Sequence, residues 1–101
     1  MSIDSEPLLR LSNKEVGGPG FTVRVPSIHE AEYREGDRVA TIEIEGGTGE
    51  LGDVNWLVYS ETLKSWRAPH DMEELSARKR EQILQRISKA FRILDLTHEV
   101  V

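Results

Sequence analysis

Cysteine is absent from the 101 residues of this chain, which removes two common ways of holding a small fold together. Neither a disulfide nor a thiolate zinc site is available, and this composition fits a reducing compartment. No apolar run approaches the ~18 residues that a membrane-spanning helix needs. Residues 1–6 are acidic and lack the basic-then-apolar layout of a signal peptide. The sequence therefore predicts a cytoplasmic protein with no membrane partner.

Basic side chains are also scarce, with 13 lysines and arginines against 18 acidic residues and a net charge of −5. General nucleic-acid binding needs clustered basic residues, so this balance disfavours it. The charge is unevenly distributed, because residues 1–75 carry a net −8 and residues 76–101 carry +3. An acidic body with a basic segment could steer a charged partner, or these charges could form an ordinary solvated surface.

The length and the glycine pattern predict one domain behind a polar leader. A chain of about 100 residues buries enough surface for one core but not for two. Residues 1–20 are interpreted as the leader, partly ordered through its leucines. It ends in Gly17-Gly18-Pro19-Gly20, a combination that breaks regular structure. Residues 21–101 are predicted to form a single α+β domain.

Three segments have the patterns of β-strands. Apolar residues alternate with polar ones over residues 21–25 and again over residues 38–45, where Glu43 and Glu45 fall on the polar face. Residues 54–59 are β-prone throughout and suit a strand that is covered on both faces. The highly charged residues 29–37 are predicted to close in a turn at Glu35-Gly36-Asp37, and residues 46–53 to form a glycine-rich loop.

The clearest helix follows Ser76, whose hydroxyl can cap free backbone N–H groups. An apolar stripe at helical spacing then consists of Ile83, Leu84, Ile87, Phe91 and Leu94. The remaining surface is assigned to Arg78, Lys79, Arg80, Arg86, Lys89 and Arg92. Residues 96–101 are predicted to add a short strand. The fold class is therefore α+β, a small antiparallel sheet of three to five strands with one C-terminal amphipathic helix on one face.

The sequence lacks the common motifs of catalysis, metal binding and cofactor binding. The glycine-rich loop lacks the lysine and hydroxyl residue of a phosphate-binding loop, and it contains the acidic Glu50 and Asp53. His29, His70 and His98 are scattered without a metal-ligand spacing. There is no G-x-S-x-G motif. We therefore predict no catalytic residues, no metal and no cofactor, although residues assembled only by folding could still form a small enzyme.

Two acidic residues and two tryptophans are the candidates for partner binding. Glu43 and Glu45 lie roughly 6–7 Å apart on one strand face. A glycosidase uses such a pair in a deep cleft, which a chain this short has little material to build, so a solvent-facing acidic stripe is favoured. Trp56 is interpreted as core. Trp66 suits either an interface anchor or packing against the helix.

Residues 38–94 resemble the immunity protein 74 family of bacterial polymorphic-toxin systems. The likeness is an order of features, in which a strand ending in acids (Thr41-Ile42-Glu43-Ile44-Glu45) is followed by a glycine-bearing loop and the strand segment Leu57-Val58-Tyr59. Next come Ser65-Trp66-Arg67-Ala68-Pro69-His70 and a helix containing Arg80-Glu81-Gln82-Ile83-Leu84-Gln85-Arg86-Ile87. Residues 1–20 contribute nothing to the resemblance.

The resemblance implies a non-enzymatic protein that binds and neutralises a cognate toxin. Immunity proteins of this kind often present acidic surface to a basic active site, and Glu43, Glu45, Glu50, Asp53 and Trp66 are the predicted partner-binding residues. A second hypothesis is an accessory or regulatory domain that binds nucleic acid or protein through the basic helix at residues 78–92. The two differ in charge sign at the binding surface and in which element carries it.

Overall fold

A computed structural model describes residues 6–48 and 54–101. Seven strands form one sheet whose spatial order is the chain order. In sequence they are β1 Leu9–Arg10, β2 Glu15–Gly18, β3 Phe21–Arg24, β4 Glu30–Glu35, β5 Arg38–Thr48, β6 Val54–Tyr59 and β7 His98–Val100. A short 3-10 helix spans Ser60–Thr62, and the helix α1 spans Ala77–Ile93. The α+β class is confirmed.

The predicted size of the sheet, three to five strands, is wrong. Strands at residues 21–24, 38–48, 54–59 and 98–100 confirm the four predicted strands. The loop predicted at residues 46–53 is wrong at its start, because β5 continues through Gly46 and Gly47 to Thr48. Two strands, β1 and β2, fall inside the predicted polar leader, and β4 falls in the charged segment at residues 29–37. Each of these three strands has few apolar residues of its own. Each one pairs with the sheet because the neighbouring strand offers backbone N–H and C=O groups that need hydrogen-bond partners.

The antiparallel part of the sheet is a meander of hairpins from β1 to β6. Pro19 and Gly20 connect β2 to β3, and Gly20 has the positive φ of 79° that the third position of a type II turn requires. Gly36, with φ 63°, opens the predicted turn between β4 and β5. Only β7 pairs in parallel, beside β6.

One face of the sheet packs on α1 and encloses the core. Its inward side chains include Val16, Val23, Tyr33, Ile42 and Val58, all of which are almost fully buried. The helix contributes most of its predicted stripe, since Ile83, Ile87, Phe91 and Leu94 are buried together with Ala90, whereas Leu84 is half-buried. Ser76 caps the helix as predicted, because its Oγ accepts a hydrogen bond from the backbone N–H of Lys79 at 3.1 Å.

Arg86 corrects the prediction that all six basic residues of the helix lie on its surface. Its residue is only 8% exposed, and its guanidinium donates hydrogen bonds to Glu6, to the Tyr33 hydroxyl and to Glu35. It also lies 4.1 Å from the centre of the Phe21 ring. Arg86 flanks the apolar stripe, so burying Ile83 and Ile87 carries it inward as well.

Candidate partner-binding surface

Carboxylates from three strands, β4, β5 and β7, share the outward face of the sheet with a tyrosine of β6, opposite the face that packs on α1. The ladder register aligns Glu30 with Glu43 and Tyr59, and Glu45 with Leu57 and Glu99, and paired residues point to the same side. Glu32 follows two residues after Glu30 on the same face. We call this set, Glu30, Glu32, Glu43, Glu45, Tyr59 and Glu99, the acidic face.

Arg67 neutralises part of the acidic face. Its backbone N–H donates to the Val39 carbonyl at 2.7 Å, which lays residues 65–67 beside the first half of β5. From there Nη2 reaches Glu30 at 2.8 Å and Glu32 at 3.1 Å. The glutamates of β4 are therefore paired, and those of β5 beyond them are not paired by Arg67.

Glu45 is held by a tyrosine. The Tyr59 hydroxyl donates a short hydrogen bond to Oε2 of Glu45, a diagonal neighbour across the β5–β6 ladder. That hydrogen bond, followed by desolvation and by the charges of Glu45 and Glu43, raises the pKa of the Tyr59 hydroxyl. The phenol therefore stays protonated at neutral pH and fixes the position of an exposed carboxylate.

Glu43 is a carboxylate of the acidic face that Arg67 leaves unpaired. It is exposed and stands directly opposite Glu30, an arrangement of like charges that destabilises a sheet. Its backbone N–H donates to Thr62 Oγ1 at 2.8 Å, but its carboxylate makes no ion pair with any residue in the two described ranges. The sequence predicted both Glu43 and Glu45 on this face, whereas Glu50 and Asp53 lie outside the described residues.

The two tryptophans take structural positions. Trp66 is 5% exposed and stacks on Tyr33 with ring centres 6.2 Å apart, because it bridges to Ala40 on the inward side of β5. Its ring therefore fills the core, and we exclude it from the surface offered to a partner. Trp56 is half-buried and meets Phe91 edge-on at 6.4 Å, so it packs on the helix.

The basic residues of α1 are largely engaged within the chain. Lys79 pairs with Glu35 at 3.0 Å, and Arg80 donates to the carbonyls of Ser60 and Leu63 at 2.7 and 2.8 Å. Arg86 is buried, as described above. Three of the six cations at residues 78–92 thus hold the fold together, which weakens the hypothesis of a helix that binds phosphate groups.

The histidines lie on different parts of the fold. His70 contacts Asp37 at 3.3 Å and Glu73 at 2.9 Å near the start of β5, and His98 lies on β7. Across residues 6–48 and 54–101, no group of three histidine, aspartate or glutamate side chains is arranged to hold a metal ion. In the same part of the chain no helix is long and apolar enough to cross a membrane.

One polar contact was missed by sequence reasoning. Ser88 Oγ lies 2.8 Å from Nε2 of His98, whose Nδ1 lies 3.2 Å from the Leu96 carbonyl. The partners are on α1 and β7, and no local pattern brings a helical serine to a strand histidine. The contact fixes β7 against the helix.

Comparison with known proteins agrees with the order of features in the sequence. The family model described as immunity protein 74 matches residues 18–101, from the end of β2 to the last residue. This range is wider than the resemblance at residues 38–94 and includes β3, β4 and β7. No curated protein and no solved structure matches the chain. The match covers more than four-fifths of the sequence, so this chain belongs to the immunity protein 74 family.

Proposed function

We propose that this protein is an immunity protein that neutralises a cognate toxin by binding it through the acidic face. Family membership supports a protein partner. The observation that carries the choice of surface is Glu43, an exposed carboxylate placed opposite Glu30 without a cation in the described residues to offset it. Arg67 pairs with Glu30 but not with Glu43, so the charge of Glu43 is left for a basic partner to pair with.

The rest of the acidic face fits the same role. Tyr59 holds Glu45 in place before a partner arrives, which lowers the entropy lost on binding. Glu50 and Asp53, in the segment between β5 and β6, are proposed as further members of the surface. Binding would act by covering the toxin, without a covalent step and without a cofactor.

The first experiment expresses the products of the genes beside the gene for this chain and takes the product that kills cells as the candidate toxin. Cells that express that toxin should survive only when this protein is expressed with it. Purified components are then mixed at low salt, where charge steering is strongest. The double variant Glu43→Lys/Glu45→Lys should associate about tenfold more slowly or worse, and the difference should shrink at high salt.

A matched control makes the same change in charge elsewhere. Asp71 and Glu74 are exposed in the turn region ahead of α1, so Asp71→Lys/Glu74→Lys alters the net charge equally. We expect this variant to associate much faster than the acidic-face variant. Equal rates for the two double variants, or an acidic-face variant that associates as fast as the parent at low salt, would refute the assignment of the surface.

A further inference from the structure

The strand β7 has one open edge. It ends the strand order and pairs only with β6. In the parallel ladder the groups that face β6 belong to alternate residues, as shown by Trp56 N–H to Thr97 O at 2.8 Å and Val101 N–H to Val58 O at 2.9 Å. The N–H and C=O groups of His98 and Val100 therefore point away from β6. Within the described chain they have no strand beside them.

A groove lies along this edge, between β7 and α1. Its first part has a volume of about 430 Å³ and is lined by Leu84, Ser88 and Arg92 of the helix and by Val100 of the strand. A second part of about 670 Å³ continues past Ser88, Arg92 and Val100 towards Asp95. Val100 is 43% exposed, so an apolar side chain and an open strand edge occur at one place.

The charged residues that line the groove are Glu81, Lys89 and Arg92 in its first part and Arg92 and Asp95 in its second. Arg92 is the cation that both parts share. It is exposed, it lines both parts of the groove, and its guanidinium makes no hydrogen bond or ion pair with the residues at 6–48 and 54–101. Arg80 and Arg86, one to three turns earlier on the same helix, are both engaged internally. A free guanidinium beside an apolar surface fits a carboxylate that is carried on a partly apolar segment.

We propose that the β7 edge and its groove bind an extended segment of the toxin, which adds to the sheet as a further strand. Main-chain hydrogen bonds to His98 and Val100 would hold the segment, with an apolar side chain on Leu84 and Val100 and a carboxylate at Arg92. The inference rests on the proposed function, because it takes the partner to be the toxin. A second copy of this chain fits less well. Two-fold pairing of β7 with itself about residue 99 places Glu99 opposite Glu99 of the other copy, and like charges directly opposite each other destabilise a sheet.

Val100→Pro tests the strand addition directly. Proline removes the outward N–H of Val100, a group that β6 does not use, and an edge strand tolerates it there. Val100→Ala is the control, because it trims the side chain and keeps the N–H. We expect Val100→Pro to bind the toxin encoded by the neighbouring gene about tenfold more weakly than Val100→Ala, the factor that one net hydrogen bond supplies. Circular dichroism verifies that both variants are folded.

Two further measurements separate the parts of the proposal. Arg92→Glu should weaken binding, whereas Arg78→Glu, an exposed change near the start of α1, should have little effect. Hydrogen exchange should show the Val100 amide protected in the complex and open in the free chain. Protection of the Val100 amide in the complex, together with weaker toxin binding by Val100→Pro, supports the inference.

The outcomes also distinguish this inference from the proposed function. If the parent chain binds the toxin and Val100→Pro binds equally well with the Val100 amide unprotected, the strand addition is wrong and the proposed function stands. If the free chain sediments as a dimer that Val100→Pro dissociates, a second copy uses the edge and the inference is overturned. If the parent chain does not bind the toxin at all, both proposals fail.

Discussion

Replacing Arg86 by alanine removes the one buried cation of the described core. In the parent, its guanidinium contacts Glu6 through Nη2 at 2.7 Å and Nε at 3.1 Å. Nη1 donates to the Tyr33 hydroxyl at 2.6 Å and to Glu35 at 3.2 Å. The alanine variant loses these hydrogen bonds, so Glu6 and the Tyr33 hydroxyl lose the donor they have in the parent, while Glu35 keeps Lys79 and Tyr33.

The structure allows the cost to be placed on a scale. Removing one partner of a buried charge pair destabilises a protein by about 3–5 kcal/mol. The lower end applies here because Glu35 keeps Lys79 at 3.0 Å and its side chain is 30% exposed, so water and lysine compensate for part of the loss. We therefore expect about 3 kcal/mol, which corresponds to a decrease in Tm of roughly 12–24 °C for a domain of this size.

Urea unfolding of the parent and the variant, followed by tryptophan fluorescence, measures the difference. Arg78→Ala, an exposed change on the same helix, should stay within about 0.5 kcal/mol of the parent. Glu6→Gln should cost less than Arg86→Ala, because Arg86 keeps Tyr33 and Glu35. If Arg86→Ala loses less than about 1 kcal/mol, the network does not stabilise the fold and the reasoning from burial is wrong.

Two further changes test the electrostatics and the helix start. Burial alone would raise the pKa of Glu35, but hydrogen bonds from Tyr33 and Lys79 outweigh it and hold the pKa below its ordinary 4.5. The resulting stability is present above pH 4.5 and is lost as the pH falls through the lower folded value, so Glu35→Gln should flatten the acid limb of a stability–pH curve. A curve as steep as that of the parent would contradict this. Ser76→Ala should lower the free energy of unfolding, measured by urea denaturation, by about 1 kcal/mol. An unchanged free energy of unfolding would show that the hydrogen bond from Lys79 N–H to Ser76 does not stabilise the protein.

The helix and the strands β3 and β5 were predictable because their apolar residues repeat at the period of the element, and β6 because its residues are β-prone throughout. The strand β4 was not, since its outward residues are charged and only Ala31 and Tyr33 face the core. In β2 the single buried side chain is Val16, followed by two glycines. Strands with so few apolar residues form because a neighbouring strand already offers backbone partners, and a single sequence does not reveal that.

The candidate surface was predictable in one strand and not between strands. Alternation placed Glu43 and Glu45 outward, but the opposition of Glu43 to Glu30 depends on the β4–β5 register. The hydrogen bond from Arg67 to Glu30 connects residues that are 37 positions apart in sequence, and no local sequence pattern predicts it. The helical pattern also misplaced Arg86, because it assigns every cation outside the apolar stripe to the surface and does not say which one the fold will bury.

The strand order has a consequence for how the chain assembles. Each strand from β1 to β6 pairs with its immediate neighbour in sequence, so these ladders can grow hairpin by hairpin with short loop closures. The last strand differs, because it reaches β6 only after the chain has passed through α1, and its parallel register needs that helix already seated. We therefore expect β7 to join last and detach first, so the edge proposed to receive a toxin segment would belong to the least cooperative part of the sheet.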